Sequence, residues 1–147
     1  FYYRGRFDAA GEPSPRASAP AVEPSSMQRW RMPLDGRIRC GRLTGDYNGI
    51  HLSDWYARRF GFSGAFQHPQ RVIGECLARL KWRECGLPMR LATWIKGPVY
   101  YGADVTLRAG AAAGSLAFAL HVNGDERPAI VGRLGSGTAE SAGGGTL

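Results

Sequence analysis

Apolar positions in this chain recur at two periods, and the change from one to the other divides the folded part in two. Val72, Ile73, Cys76, Leu77 and Leu80 fall three and four apart and make one stripe along a helix. Pro69 stands where that helix begins, a position at which a missing N–H costs nothing. Gly74 inside the stripe weakens an isolated helix, so close packing against another element is expected there. After Cys85-Gly86 the period becomes two, and Leu91 to Ile95, Ala103 to Leu107, Ser115 to Val122 and Pro128 to Leu134 read as strands. Val122-Asn123-Gly124-Asp125 supplies an Asn-Gly turn between the last two. Upstream, a shorter helix is predicted over about Ile50 to Phe60, with Gly61 placed to end it in the left-handed conformation. Met27 to Cys40 reads as a first strand or an irregular entry segment. The order is short helix, long helix, antiparallel meander, which is an α+β layer arrangement.

The two ends have no such pattern. Phe1 to Phe7 reads like the last half of a β-strand, and the opening on Phe1 suggests a piece of something longer. Ala9 to Ser26 is rich in Pro, Ala, Ser and Gly and reads as a linker. The stretch from Gly135 to Leu147 reads as a disordered tail. The expected division is therefore 1–26 strand remnant and linker, 27–134 folded domain, 135–147 tail.

Composition narrows the partners. A chain of 147 residues is one domain with room for a real core, and 19 Lys plus Arg against 12 Asp plus Glu favour an anionic partner. Arg58-Arg59 is too short for a nucleic-acid patch, and no apolar run is long enough to span a bilayer, so neither partner is expected. Cys40, Cys76 and Cys85 form an odd set without Cys-x-x-Cys spacing. Buried thiols in a reducing compartment, the cytoplasm, are expected, with no metal site.

The chemistry sits in Gly45-Asp46-Tyr47-Asn48-Gly49-Ile50-His51. Five residues is the wrong spacing for two groups on one helical face. It suits an Asp in a turn and a His at the start of the next helix, with Asn48 as N-cap. Such a pair aims a carboxylate and an imidazole at one point and can activate a water. The heptad alone fits equally well a loop carboxylate followed by a surface histidine.

Further pieces follow in order: Gly61-Phe62, His68-Pro69, and Lys96-Gly97-Pro98-Val99-Tyr100-Tyr101-Gly102-Ala103-Asp104. With them, the span from about Trp30 to Leu134 resembles the MaoC-like hydratases. These hot-dog proteins hydrate 2-enoyl thioesters with R stereochemistry or run the reverse dehydration. The family signature reads Gly-Asp-x-Asn-Pro-x-His, then Gly-Phe, then His-Gly at the start of the central helix. The resemblance implies a single hot-dog domain with a long central helix wrapped by an antiparallel sheet. It implies Asp46 and His51 as catalytic residues and Asn48, His68 and Gln70 as substrate-binding ones. The substrate would be an acyl thioester of fatty-acid metabolism on coenzyme A or acyl carrier protein, with no separate cofactor. The partner would be a second copy or another hot-dog unit. The Tyr2-Tyr3-Arg4-Gly5-Arg6 opening resembles the end of the first half of a two-hot-dog member.

Two departures matter. The family's Gly after the helix-opening His, whose N–H points at the thioester oxygen, is Pro69 here and has no N–H. Gln70 is then the residue left to supply an oxyanion donor. Gly49 replaces the family's Pro and loosens the loop holding His51. A hot-dog thioesterase and a non-catalytic acyl-thioester module are the alternatives, the second motivated by Pro69. Among other residues, His68 reads chiefly as a buttress of the central helix and His121 as a strand residue without chemistry. Arg71, Arg79, Lys81 and Arg83 are either phosphate contacts or a solvated face. Tyr47, Trp55, Tyr56, Trp82 and Trp94 read as core or interface.

Overall fold

The period-two segments pair into one antiparallel sheet in a computed structural model that describes residues 19–80, 89–112 and 115–136. Its strands are β1 (Ser26–Arg31), β2 (Met89–Ile95), β3 (Asp104–Ala112), β4 (Ser115–Val122) and β5 (Ile130–Ser136), in the spatial order β1-β3-β4-β5-β2. The expected meander holds for β3, β4 and β5 only. β2 crosses to the far edge and pairs β5, with Leu91 opposite Leu134 and Ile95 opposite Ile130. The reason is occupancy: β3 already bonds β4 on one side and β1 on the other, so β5 has the free edge. β5 also runs two residues past the expected boundary, because Gly135 and Ser136 still pair with Arg90 and Met89. The strand remnant at Phe1–Phe7, Lys81, Trp82, Arg83 and Cys85 lie outside the described residues, as do most of the linker and tail.

The stretch Met27 to Cys40, read as a first strand or an irregular entry segment, holds β1 and then the start of helix α1 (Arg37–Thr44), which was not expected. Gly36 and Gly45, both at positive φ, bracket it, and Cys40 and Gly41 face inward. The predicted short helix is two pieces, α2 (Gly49–Leu52) and α3 (Asp54–Arg59). Ser53 divides them, because its extended backbone ends one helix while its hydroxyl accepts the Tyr56 N–H of the next. Gly61 adopts φ 81° beyond α3, in the left-handed conformation its place in the sequence predicts.

Helix α4 (Pro69–Arg79) lies across the sheet and buries Val72 and Cys76 against Val105, Leu107, Phe118, Leu120 and Ile130. Burial pushes the Cys76 thiol up to about 12. Gly74 behaves differently from expectation, since a Cβ there would meet no atom within 4 Å. It borders an open apolar groove of about 460 Å³, with Leu77, Ala78, Met89, Leu91 and Leu134. The close approach falls instead at Gly132, directly opposite Phe118 on β4. A Cβ on Gly132 would sit 2.2 Å from the Phe118 ring, which is fully buried. That ring fills the space above a bare backbone, so its packing depends on the missing side chain.

Gly132→Ala forces the Phe118 ring to move within a close-packed core and is expected to cost about 1–3 kcal/mol. Urea denaturation of the two proteins measures it, and equal midpoints would show the ring is free to shift.

Candidate active site

The segment between β1 and α4 is folded by its own caps and then stitched to the sheet. Asn48 caps α2, its side-chain oxygen accepting the Ile50 N–H at 3.2 Å. The Asp46 Oδ1 accepts the Asn48 N–H at 3.0 Å, which closes a turn on the carboxylate itself. At Gly49 a Cβ would lie 2.6 Å from the Tyr56 ring, which takes the space a side chain there would fill. Further on, Ala65 to His68 enter the interior. The Phe66 N–H donates to Ile50 O and the Gln67 N–H to Val99 O.

These elements bring Asp46 and His51 together. The His51 Nε2 lies 3.7 Å from Asp46 Oδ2, with the imidazole buried and the carboxylate more than a third exposed. The His51 Nδ1 faces the Phe66 carbonyl at 3.0 Å. A carbonyl only accepts, so Nδ1 carries the proton and Nε2 presents a lone pair toward Asp46. Burial holds the His51 imidazole below its usual 6.5; the Phe66 hydrogen bond opposes that, His68 adds to it, and Asp46 opposes it. His51 is therefore neutral near neutral pH, which is the form a base needs.

His68 lies beneath this pair. Its ring has no exposed surface and stacks on His51 with centroids 4.2 Å apart and 28° between planes. Its Nε2–H donates to the Asp46 backbone oxygen at 3.0 Å, and its Nδ1 is buried with no partner. A fully buried ring does not reach a substrate, so the structure gives His68 no direct contact of the kind expected from the sequence. Asn48 likewise spends its oxygen on the cap. Gln70 is exposed at the second position of α4, where helix geometry leaves a main-chain N–H without an intrahelical acceptor. Pro69 occupies the first position, as the sequence placed it.

Asp46, His51 and His68 each bring a potential ligand atom within 4.8 Å of the others. Imidazole lone pairs lie in the ring plane, and two rings stacked face to face send them along separate, nearly parallel planes.

Sequence reasoning missed several contributors. Tyr101 donates its hydroxyl to the His51 carbonyl at 3.1 Å, and Arg37 stacks over the Tyr101 ring at 4.5 Å. Arg37 also donates to Leu52 O and pairs with Asp54, tying α1 to α3. Gln67 is 1% exposed and donates to Pro33 O. Tyr101 was visible in the run after Lys96, but nothing in that run points back to His51. His121 is buried in β4 and donates to Asp125 O beside the turn, a structural contact as expected. Arg71 donates to Asp35 O from one guanidinium nitrogen, while Arg79 pairs with Glu75 and stacks over Trp30. Tyr47, Trp55 and Tyr56 lie on the surface of the chain and not in its core.

Among the described residues, a five-stranded antiparallel sheet wrapped on one long helix is the hot-dog fold. The solved structures that share it include HtdX of Mycobacterium tuberculosis, which matches 91% of this chain and 52% of its own at 23% identity and TM-score 0.66. The (R)-hydratase from A. caviae involved in PHA biosynthesis matches over 82% of this chain and 99% of its own, at 18% identity and TM-score 0.61. A MaoC-like dehydratase from Phytophthora capsici matches over 84% and 45%, at 22% identity and TM-score 0.62. The chain spans about half the length of HtdX and of the Phytophthora protein. No protein-family model matches it, and the search of curated proteins found no match. Among the described residues no helix is long and apolar enough to cross a membrane.

Because its folded pKa is held below 6.5, His51 stabilises the fold fully above about pH 6.5 and loses that contribution as acid protonates the ring. We expect an NMR titration of the His51 ring to give a midpoint below 6.5 with the Nδ1–H tautomer above it. A midpoint above 6.5 would mean the ring is more solvated or more strongly paired than its burial implies.

Proposed function

We propose that the chain is a MaoC-like hydratase unit that adds water across a 2-enoyl thioester, or runs the reverse dehydration of an (R)-3-hydroxyacyl thioester. The observation that carries this reading is the 3.7 Å approach of the Asp46 carboxylate to the unprotonated Nε2 of His51. Two acceptors at that separation grip one water from two sides. One takes its proton as the oxygen attacks the β-carbon, and a proton returns to the α-carbon. The enolate oxygen formed meanwhile needs a donor. With Pro69 unable to serve, the Gln70 N–H at the positive end of α4 takes that part. The open apolar groove along the second half of α4 offers surface for an acyl tail laid beside the helix. The carrier is coenzyme A or acyl carrier protein, and the partner is a second copy or another hot-dog unit. The free side of β2, with Leu91 and Ile95 partly exposed, supports such pairing.

A non-catalytic acyl-thioester module is the second reading, favoured by Pro69 alone. The loss of enoyl absorbance on hydration of a short enoyl-CoA separates the two. We expect turnover by the wild type and a loss of about 10²–10⁴ in kcat for Asp46→Asn and for His51→Ala. Binding of acyl-CoA without turnover, unchanged in Asp46→Asn, would establish the second reading. Thiol release from saturated acyl-CoA without hydration would point to a thioesterase.

If Gln70 is the donor, Pro69→Gly restores an N–H that is not needed and leaves kcat within about threefold. A rise of about a hundredfold would instead show that the first position of α4 had been missing its donor.

A further inference from the structure

We infer that His68 is a positioning residue: its Nε2–H pins the main chain of Asp46 while its ring face sets the plane of His51, so that carboxylate and imidazole meet around one water. This inference rests on the hydration chemistry proposed above. The geometry is unusual for a helix-capping histidine. His68 occupies the N-cap of α4, yet its side chain makes no capping bond, and its own carbonyl accepts from Arg71 and Val72 instead. The ring turns away from the helix it begins and donates 22 residues back in the chain, to Asp46 O at 3.0 Å.

That bond acts on the acid. Asp46 has a half-exposed side chain in a turn, and its carboxylate is aimed only by the Asn48 N–H on one oxygen. Fixing its carbonyl from below fixes the peptide plane from which the side chain departs. The stack acts on the base. His51 is held in the ring plane by His68 at 4.2 Å and edge-on by Phe66 at 4.7 Å and 78°. Its Nδ1–H is held by the Phe66 carbonyl, which stops rotation about the ring normal. The groups facing His51 are thus Asp46 from the turn, His68 from α4, Phe66 from the segment before it, and the Tyr101 hydroxyl on its carbonyl with Arg37 behind. Among these His68 alone touches both members of the pair. The Nδ1 of the same ring is buried with no hydrogen-bond partner, so Nε2–H is the ring's one hydrogen bond among the described residues.

Two substitutions separate the two functions of the ring. His68→Phe keeps a flat stacking partner and removes the donor. His68→Gln keeps a donor near the Nε2 position and removes the stack. For folded His68→Phe we expect kcat for enoyl-CoA hydration to fall about tenfold to a hundredfold with KM little changed, as a small misplacement of reacting groups does. His68→Gln is expected to recover part of that loss. In both variants the NMR titration of His51 moves up, because a neighbouring imidazole has gone. Far-UV circular dichroism checks the fold, and if His68→Phe does not fold, the His51 titration in His68→Gln decides. A folded variant with unaltered kcat and an unaltered His51 titration would overturn the inference. A wild type without hydration would defeat the proposed function, while the titrations would still report whether His68 holds His51.

Discussion

Everything at the site hangs from the Phe66 carbonyl. It accepts the His51 Nδ1–H, and that single bond decides which nitrogen carries the proton, which way the lone pair points and how far the ring can swing. The carbonyl is itself held in place. The Phe66 N–H donates to Ile50 O, Phe66 forms a bridge with Tyr100, and Gln67 bonds the Val99 carbonyl. A short extended segment is thereby laid between the helical insertion and the sheet, and His51 inherits the rigidity of the sheet through it.

The same segment explains how a buried imidazole and an exposed carboxylate come to share a site. Ala65, Phe66, Gln67 and His68 are all buried, so the floor is dry, while Asp46 lies on a turn anchored from above by Asn48 and from below by His68. Burial lowers the basicity of His51, and the nearby carboxylate raises it. The balance keeps the ring neutral and close to an acid that remains in contact with solvent.

The parts of this arrangement that are local in sequence were legible from sequence. The Asn48 cap, the left-handed Gly61, the Pro69 start and the Asp46-to-His51 spacing each depend on residues within a turn or two of one another. What was not legible is long-range. Whether β2 joins β3 or β5 is decided by β1 taking the free side of β3, a competition between segments more than 70 residues apart in sequence. Tyr101 reaches His51 across 50 residues for the same reason. Helix α1 was missed because its mean composition is polar and its inward side is only Cys40 and Gly41, too short a stripe to register as a period. Gly74 was read as the close approach and Gly132 carried no reading at all, since a glycine in a sequence does not say which neighbour needs the room.

The depth of Cys76 has a use of its own. A thiol with no exposed surface, pushed up to about 12 by burial, has almost no thiolate at neutral pH to attack a reagent. It becomes reactive only when α4 lifts from the strands beneath it. The rate at which that sulfur is labelled therefore clocks the opening of the helix that His68 begins, in the resting protein and without denaturant.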